Sequence, residues 1–564
     1  MTKWWIWPLL IVLLCVRPVA AGGPTTGEDG VAGLSREEAL RLGEQMYRRG
    51  VLPSGEPMQA LVQGDIPVDG RMFSCESCHL RSGLGSNEGE VVTLPTNAAE
   101  LFKPFTMAAE EVLTGWSDVP RSIDGGIRRP AYTEQTLAEA LSNGIDPSGR
   151  EFIPSMPRYA LDEREMAIMV FYLKNLAATP SPGVDATTMH LATVISDDLP
   201  QALRQAFLAT LQSYVDARSG ETRQETRRAK ESPFFERMMY APFRRLQLHV
   251  WTLKGPRESW DAQLQDYYRQ APVFAILSGM TSGDWAPVHA FCERQRLPCL
   301  FPITQLPVIS ESDWYTLYFS KGYYQEGETV ARYLRKAAKN SPPVPIMQVY
   351  RDDRAGQALA RGFAETWRKA GLSAPLDRPL PAGQPLEKFW PQLLNESRGA
   401  ILLLWLDGEV LPLLSALPEK EPPQLFLSAS LLGRDLSKVP EQVRDSARIA
   451  YPWRLPRDSV KINRVIQSWL KTRKIPETDL RLQAAAYYVG WHLSNALMMM
   501  KTDFYRDYLL DVTDMMIDAD YTVAAYPRLS FGAGQRYAAK GCYIVKLNAA
   551  GEPEPVEGGE WVAH

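Results

Sequence analysis

The sequence Cys75-Glu76-Ser77-Cys78-His79 constrains this chain more than any other feature. Two cysteines separated by two residues and followed directly by a histidine form the attachment signature of c-type haem. The two thiols form thioethers with the vinyl groups of one porphyrin, and the adjacent histidine becomes the proximal ligand of the iron. The motif occurs once, so we expect one covalent haem c, attached to Cys75 and Cys78 and ligated by His79. A single haem of this type serves electron transfer or, less often, ligand sensing.

The N-terminus has the pattern of a secretory signal peptide. Lys3 precedes an apolar run over residues 4–16, and Val19-Ala20-Ala21 forms a small-residue cleavage site. The run is shorter than the roughly 20 residues that a membrane span requires, although an uncleaved N-terminal anchor is the alternative. We therefore predict a signal peptide over residues 1–21, a periplasmic location, and no membrane span after cleavage. Haem attachment to such motifs takes place outside the cytoplasmic membrane, which agrees with this location.

A methionine is the expected sixth ligand of the iron, because His79 is the only histidine before residue 190. Met156 is the best candidate, since it lies in a loop rich in proline and glycine before an amphipathic helix predicted over Asp162–Leu176. Methionine ligation raises the reduction potential relative to a second histidine. The alternatives are Met72, which is too close to the motif, Met107, and two residues better explained as helix core, Met166 and Met169.

Residues 35–178 resemble a class I cytochrome c. A helix predicted over Arg36–Arg49 precedes the haem motif, Met156 is followed by Pro157 and Tyr159, and the last helix ends in Phe171-Tyr172-Leu173-Lys174. The resemblance implies an all-α domain whose first and last helices cross, with Gly43 allowing Tyr172 to pack closely. It also implies a backbone carbonyl that orients the His79 imidazole, for which Pro95 is the candidate.

Three further cysteines remain in the mature chain. An exported compartment permits disulfides, and a helix that returns into a strand would bring Cys292 and Cys299 together. A disulfide between them is therefore predicted, with two buried free thiols as the alternative. Cys542 is left over and is predicted to be a small buried apolar residue.

After a linker predicted over residues 179–188, short apolar runs alternate with segments of helical spacing. Such runs are typical of buried parallel strands, and the alternation predicts a doubly wound α/β arrangement of parallel sheets flanked by helices. The predicted strands are Leu191–Ile195, Gln247–Leu253, Val273–Leu277, Leu300–Ile303, Tyr315–Phe319, Val344–Val349, Ala400–Leu404 and Gln424–Ser428.

Residues 189–550 resemble a type I periplasmic binding protein of the branched-chain amino acid receptor kind, and residues 551–564 are predicted to be a C-terminal tail. The resemblance rests on segments that follow predicted strands, among them Tyr323–Glu328, Tyr350–Gln357 and Phe531–Arg536. It implies a two-lobed α/β domain that binds a solute between its lobes and closes about a hinge. The whole chain is thus expected to be multidomain, with this domain following an all-α cytochrome c domain.

The resemblance also implies a ligand cleft at the carboxyl ends of the strands. The positions that match a carboxylate-binding turn, before a helix predicted from Trp285 whose N-terminus favours an anion, are Ser278, Thr281 and Ser282. Candidates to meet an amino or hydroxyl group in the second lobe are Asp352, Asp407 and Glu409. The alternative is ordinary helix capping by Ser282 or Asp284 and solvated turn acids. Met280 places a bulky thioether in the cleft, which disfavours an amino acid as the solute. The cleft is then expected to bind an apolar solute or no solute.

Composition adds no other partner. The net charge is −4 with acids and bases interspersed, which gives no indication of nucleic-acid binding. No general acid–base pair is apparent, so we do not predict an enzyme. The leading hypothesis is a periplasmic electron-transfer protein whose larger module binds a small organic solute or docks a redox partner, for example a quinoprotein dehydrogenase. The alternatives are a haem-based sensor and a solute receptor of an ABC-type transporter.

Overall fold

The computed structural model describes residues 30–88, 91–107, 127–231, 244–338, 344–381, 383–417, 423–433, 435–516, 525–532 and 534–564. The chain divides into two compact units between Ala178 and Thr179. The predicted signal peptide, residues 1–21, lies outside the described residues.

The first unit is mainly helical. Its helices are α1 (Arg36–Arg49), α2 (Cys75–His79), α3 (Ala98–Leu101), α4 (Glu134–Asn143) and α5 (Glu163–Asn175). Capping fixes the starts of the two long helices: the Ser35 side chain accepts a hydrogen bond from the Glu38 N–H, and Asp162 forms a reciprocal capping box with Glu165. Both helices lie where the sequence predicts them.

Helices α1 and α5 pack closely where Gly43 faces Tyr172. A Cβ atom added at Gly43 would lie only 2.4 Å from the Cβ atom of Tyr172. The ring of Tyr172 lies 5.5 Å from that of Tyr47 on α1. The predicted role of Gly43 is therefore confirmed, because the helices reach this separation only without a side chain at that position.

Replacing Gly43 with alanine is expected to destabilise the first unit. Alanine favours a helix by about 1 kcal/mol, but the clash with Tyr172 forces a backbone shift that costs about 1–3 kcal/mol or more. Denaturant unfolding checks the expected net loss. Gly220→Ala is the control, since this helical glycine has open space around it. A Gly43→Ala protein as stable as wild type would contradict the packing described here.

The first unit also contains short antiparallel strands, so the prediction of an all-α domain is wrong in this respect. The strands are β1 (Gln59–Val62), β2 (Ile66–Asp69), β3 (Asn87–Glu88), β4 (Val91–Val92), β5 (Phe105–Met107), β6 (Ile127–Arg129) and β7 (Arg158–Tyr159). Strand β1 pairs with β2 and β7, β3 with β4, and β5 with β6. Along β1, buried Ala60 and Val62 alternate with exposed residues. Two buried positions are too few to stand out in the sequence.

The second unit contains one parallel sheet and one mixed sheet that is mainly parallel. Its strands are β8 (Thr188–Ser196), β9 (Arg245–Leu253), β10 (Ala275–Met280), β11 (Cys299–Leu300), β12 (Thr316–Leu317), β13 (Ile346–Arg351), β14 (Leu376–Leu380), β15 (Ile401–Trp405), β16 (Leu425–Ser428), β17 (Ala447–Tyr451), β18 (Gly541–Leu547), β19 (Pro553–Pro555) and β20 (Val562–Ala563). The sheet of the first lobe has the order β12-β11-β10-β8-β9 and is parallel throughout. The sheet of the second lobe has the order β14-β13-β15-β16-β17-β18-β19, with β18 to β20 antiparallel and β20 beside β18.

Helices connect these strands and cover the sheets, which confirms the predicted two-lobed α/β arrangement. They are α6 (Gln201–Glu231), α7 (Trp260–Gln270), α8 (Ala286–Gln295), α9 (Tyr323–Ala338), α10 (Arg354–Lys369), α11 (Trp390–Glu396), α12 (Leu411–Leu414), α13 (Ala429–Leu432), α14 (Pro456–Thr472), α15 (Leu480–Met500) and α16 (Arg506–Met515). The six residues of β10 are all buried, as a central parallel strand requires. In the part of the chain that the structure describes, no helix combines the length and apolarity needed to cross a membrane.

Two segments differ from their predicted roles as linker and tail. Within residues 179–188, the Gly183 carbonyl accepts a hydrogen bond of 2.7 Å from the His190 N–H, and the Ser181 hydroxyl accepts one of 3.0 Å from the Arg506 N–H. At the other end, residues of the predicted tail form β19 and β20 and extend the second sheet. Backbone hydrogen bonds therefore hold both segments against the second unit, although their proline and glycine content is typical of loops.

Two segments in which the chain passes from one lobe to the other run side by side. The Tyr318 N–H donates to the Arg536 carbonyl at 2.8 Å, and the Ala538 N–H donates back to the Tyr318 carbonyl at 3.0 Å. The Arg536 guanidinium forms a buried ion pair with Asp514, with both contacts at 2.5 Å. It also lies 4.2 Å from the ring centre of Trp314. These contacts hold the two crossings of the chain together.

Candidate functional site

The haem motif forms the short helix α2 in the first unit. Cys75 is buried and Cys78 is exposed, and both are free thiols. Two tyrosines hold the segment from either side: the Tyr47 hydroxyl donates to the Leu80 carbonyl at 2.8 Å, and the Tyr159 hydroxyl donates to the Phe73 carbonyl at 2.7 Å. The motif is thus fixed at both ends to the core that α1 and β7 form.

The two nitrogens of the His79 imidazole differ in their surroundings. Its Nδ1 lies 2.8 Å from the Leu94 carbonyl oxygen. A carbonyl only accepts hydrogen bonds, so Nδ1 carries the proton and Nε2 keeps a free lone pair. Nε2 is buried and has no hydrogen-bond partner among the described residues. Burial lowers the pKa of His79 and so favours the neutral imidazole. The hydrogen bond to Leu94 opposes this shift without reversing it.

The carbonyl that orients His79 belongs to Leu94, so the sequence prediction of Pro95 is wrong by one residue. This carbonyl accepts the Nδ1 proton and fixes the direction of the imidazole ring. Which of two adjacent carbonyls faces the imidazole depends on the local direction of the backbone, and residue spacing does not reveal that direction.

Met156 lies half-buried in the turn that precedes β7. Its carbonyl accepts a hydrogen bond from Arg158, and Tyr159 in the same segment is bonded to Phe73 next to the haem motif. The other methionines suit the role less well. Met72 is 77% exposed, and Met169 is buried in the helical core. The side chain of Met107 lies outside the described residues.

The donor set of the first unit fits a c-type haem. Cys75 and Cys78 would form the thioethers, and Nε2 of His79 is a buried acceptor that nothing else in the described chain satisfies. An unsatisfied buried nitrogen is costly, and coordination to iron is the interaction that would remove the cost.

In the first lobe, the polar residues predicted to hold a carboxylate are bonded within the protein. The Ser278 hydroxyl, on the buried strand β10, donates to the Phe301 carbonyl at 2.9 Å. The Thr281 hydroxyl is 3.4 Å from the Asp284 carbonyl. Ser282 donates its hydroxyl to Asp198 and its N–H to the Ser196 hydroxyl at 3.0 Å. Ser278 lies within β10 and the other two residues directly follow it, and the hydroxyl groups of all three are directed at acceptors within the protein.

Asp284 joins the two lobes. Its carboxylate accepts hydrogen bonds from Arg257 of the first lobe, one at 2.9 Å, and from Arg354 at the start of α10 in the second lobe. It also accepts the Ala286 N–H at 3.0 Å, at the start of α8. Burial raises the pKa of Asp284, but the bonds from Arg257 outweigh it and the net shift is downward. The predicted anion position in front of α8 is therefore taken by a carboxylate of the protein itself.

The acids predicted to face a solute from the second lobe also have partners within the chain. Arg351 forms a two-fold ion pair with Glu409, with contacts of 2.6 and 2.5 Å. Asp407 accepts the Glu409 N–H at 2.9 Å, and Asp352 accepts from the Gln357 side chain at 2.8 Å. The structure thus favours the capping and turn roles that were the alternative for these residues.

The predicted disulfide is not formed. Cys292 near the end of α8 and Cys299 at the start of β11 are both buried free thiols. Burial and the adjacent Cys299 raise the pKa of Cys292. Helix and strand therefore do bring the side chains together, as the spacing suggests, but as two thiols. Cys542 is buried, as predicted, and accepts from the Gln325 amide at 3.7 Å.

A cavity of about 380 Å³ lies at the carboxyl end of β17. Its side chains come from the end of that strand and from the first turns of α14 and α15. The lining residues are Tyr451, Trp453, Arg454, Pro456, Ser459, Ile462, Asn463, Asp479, Leu480, Arg481, Ala484 and Ala525. None of these residues belongs to a site predicted from the sequence. An aromatic pair directly after a buried parallel strand, at Tyr451 and Trp453, is the signal that could have found the site.

Comparison with known proteins supports the α/β assignment. The family model "Periplasmic binding protein" matches residues 258–552, just over half of the 564-residue chain. No curated protein sequence matches the chain.

Several solved structures are similar to this chain. A putative branched-chain amino acid ABC transporter protein from Rhodospirillum rubrum is 13% identical with a TM-score of 0.46, covering 65% of this chain and 100% of its own. A fatty acid ABC transporter substrate-binding protein from Thermomonospora curvata is 15% identical with a TM-score of 0.41, covering 68% and 94%. A branched chain amino acid ABC transporter protein from Thermus thermophilus, with bound valine, is 12% identical with a TM-score of 0.43, covering 66% and 96%. On the match to the family model, this chain belongs to the periplasmic binding protein family.

Proposed function

We propose that this protein is an exported solute-binding protein, of the kind that serves ABC-type transporters, and that its first unit carries one covalent haem c. Family membership supports the solute-binding half of the proposal. The buried, unpartnered Nε2 of His79 beside Cys75 and Cys78 carries the haem half. Both halves require export, which agrees with the N-terminal signal pattern and a periplasmic location.

The residues of the first unit have separate roles toward the haem. Cys75 and Cys78 would anchor it and Nε2 of His79 would bind the iron, while the Leu94 carbonyl fixes the imidazole by accepting its Nδ1 proton. Met156 would provide the second protein ligand. When bound, a haem with these ligands supplies one-electron redox chemistry at a potential that methionine raises.

The solute in this proposal is a small organic molecule without an amino group. Recognition of an amino group needs a free acid in the cleft, but Asp352, Asp407 and Glu409 are engaged in turns and an ion pair. The proposal for the solute therefore follows the apolar and aromatic lining of the cavity at β17, not the valine bound to the Thermus thermophilus protein. Small-molecule sites of this kind typically measure about 300–1,000 Å³.

Thermal unfolding with a panel of amino acids, fatty acids and aromatic acids tests the solute half. A ligand at about 100 times its Kd is expected to stabilise the second unit by about 2.7 kcal/mol. The same shift should appear in protein made without haem, because the cavity residues belong to the second unit. A panel in which no compound changes the unfolding of the second unit would contradict solute binding.

Met156→Ala tests the ligand assignment in the first unit. The variant is expected to keep its covalent haem but to lose the weak far-red sulfur-to-iron absorption band. Its reduction potential should fall by tens to hundreds of millivolts, within the roughly 0.8 V range that axial ligands span. Met72→Ala is the control, since this side chain is 77% exposed. A wild-type spectrum without the far-red band would remove Met156 from the proposal.

A second candidate function is electron transfer to or from a partner protein, for example a quinoprotein dehydrogenase. The exposure of Cys78 favours it, because a haem attached to this thiol would be accessible from the protein surface. Rapid-mixing measurement of haem reduction by a purified quinoprotein dehydrogenase tests this function. An electron carrier should be reduced faster by the enzyme than by a free dye, whereas a haem-based sensor should bind carbon monoxide readily at an open or labile sixth position.

A further inference from the structure

We propose that one face of helix α14 docks the second unit on an anionic phospholipid surface. This basic face consists of Lys461, Arg464 and Lys471 on the helix and Lys474 just after it. Neither solute binding nor haem attachment requires contact with a membrane, so the docking is a separate property of the protein. The spacing, exposure and charge of the helix support it.

The bases of α14 lie on the side of the helix that faces away from the core. Lys461, Arg464 and Lys471 are separated by steps of three and seven residues, so they share one side of the helix over about 15 Å. The opposite side carries Ile466 and Leu470, which are 0% and 2% exposed and pack against α15. The helix is therefore fixed to the protein by its apolar side and presents its bases to solvent.

The positive charge of the basic face is not neutralised by the protein. All four of its residues are exposed, and within the described part of the chain their side chains form no ion pair or hydrogen bond. Residues 456–474 contain six bases and one acid, a net charge of +5 in a chain whose net charge is −4. The one acid, Asp458, already lies 3.8 Å from Arg457. An anionic surface is the electrostatic complement of this face.

Two exposed aliphatic side chains border the bases. Val460 and Val465 are each 49% exposed. Val460 lies one helical turn before Arg464, and Val465 lies one turn after Lys461. Apolar side chains beside a row of bases are typical of helices at a membrane interface, where the bases meet phosphates and the apolar groups reach between the lipid headgroups.

The composition of the basic face favours lipid over a protein partner. Protein interfaces are depleted in lysine and enriched in aromatic side chains. Three of the four bases are lysines, and the tryptophan of this helix, Trp469, is half-buried against Tyr487 of α15. A phospholipid surface needs no aromatic anchor, because the attraction of several bases to its phosphates accumulates without a fixed geometry.

Co-sedimentation of the mature protein with phospholipid vesicles tests this inference. At low salt, wild type is expected to bind vesicles that contain phosphatidylglycerol at least tenfold more tightly than vesicles of phosphatidylcholine alone, because only the former are anionic. Binding to the anionic vesicles should fall steeply when the salt concentration is raised to about 0.5 M, since salt screens exposed charges.

Lys461→Gln/Arg464→Gln/Lys471→Gln removes the row of bases on the helix. Each base near an anionic surface contributes about fivefold to the affinity, so this triple variant should bind the anionic vesicles roughly a hundredfold more weakly than wild type. The three side chains are exposed and unpaired among the described residues, so their replacement leaves the core contacts of α14 in place.

Arg335→Gln/Lys388→Gln/Arg398→Gln is the matched control. These bases are exposed, lie in or beside other helices of the second unit, and form no ion pair or side-chain hydrogen bond in the described ranges. The control loses the same net charge as the first triple variant and should bind the anionic vesicles as wild type does.

Several results would overturn the inference. They are equal binding of wild type to both kinds of vesicle, an unchanged affinity in the Lys461→Gln/Arg464→Gln/Lys471→Gln variant, or an equal loss of affinity in the control. Tighter binding to polyglutamate than to the anionic vesicles would overturn it in favour of an acidic protein partner. The comparison of the two kinds of vesicle needs no variant, so a folding defect in either variant does not affect it.

Discussion

A Cys75→Ala/Cys78→Ala double variant is expected to contain no haem at all after denaturing purification. The thioether bonds are the only covalent connection between porphyrin and chain that the motif provides, so removal of both thiols removes the attachment completely. Gel staining for haem peroxidase activity and intact mass give the answer directly. Without haem, Nε2 of His79 remains buried without a partner, so the first unit is also expected to unfold at a lower temperature.

Cys542→Ala is the matched control for the double variant. This residue is buried in the second unit and its pKa is raised by burial, so it is an ordinary core thiol without access to a porphyrin. The control should retain covalent haem in full. Haem that survives denaturation in the double variant would show that attachment does not take place at Cys75 and Cys78.

Arg536→Met is expected to cost about 3–5 kcal/mol of the free energy of unfolding of the second unit. The Arg536 and Asp514 side chains are 4% and 8% exposed, so loss of the guanidinium leaves a buried carboxylate without its partner. Burial already raises the pKa of Asp514 to about 6, opposed by the charge of Arg536. Denaturant unfolding at pH 7, followed by circular dichroism, measures the loss.

Two further variants serve as controls for Arg536→Met. Arg269→Met breaks the exposed pair with Asp266, whose side chains are 76% and 60% exposed, and should change stability by less than about 1 kcal/mol. An Arg536→Met/Asp514→Leu double variant should recover most of the loss, because two apolar side chains leave no buried charge. If Arg536→Met were as mild as Arg269→Met, the crossing point of the lobes would not depend on this ion pair.

The elements that the sequence predicts well are those with strong local signals. Helices α1 and α5 have capping residues at Ser35 and Asp162, and the parallel strands are apolar runs such as the one in β10. The hairpin strands β1 and β2 and the final strands β19 and β20 are only two to four residues long. Their own residues give a weak signal, so the first unit was expected to be all-α and the end of the chain to be a tail.

The candidate sites also divide into one with a strong local sequence signal and others without one. The haem motif is local, and the structure brings its cysteines, His79 and a carbonyl acceptor into one segment of the first unit. In the second unit, topology predicts where ligand-binding turns lie but not which side chains in them are free. Asp284 and Glu409 are occupied by arginines from other elements. The cavity residues Trp453 and Arg481 come together only because α15 begins beside the end of β17.

The most direct test of the account is the intact mass of the mature protein, purified from a host that assembles c-type cytochromes. The account predicts a mass that exceeds that of the processed polypeptide by one haem, in a protein that also shows a reversible redox spectrum. A mass equal to that of the bare polypeptide would contradict the central claim, leaving a periplasmic binding protein without a redox function.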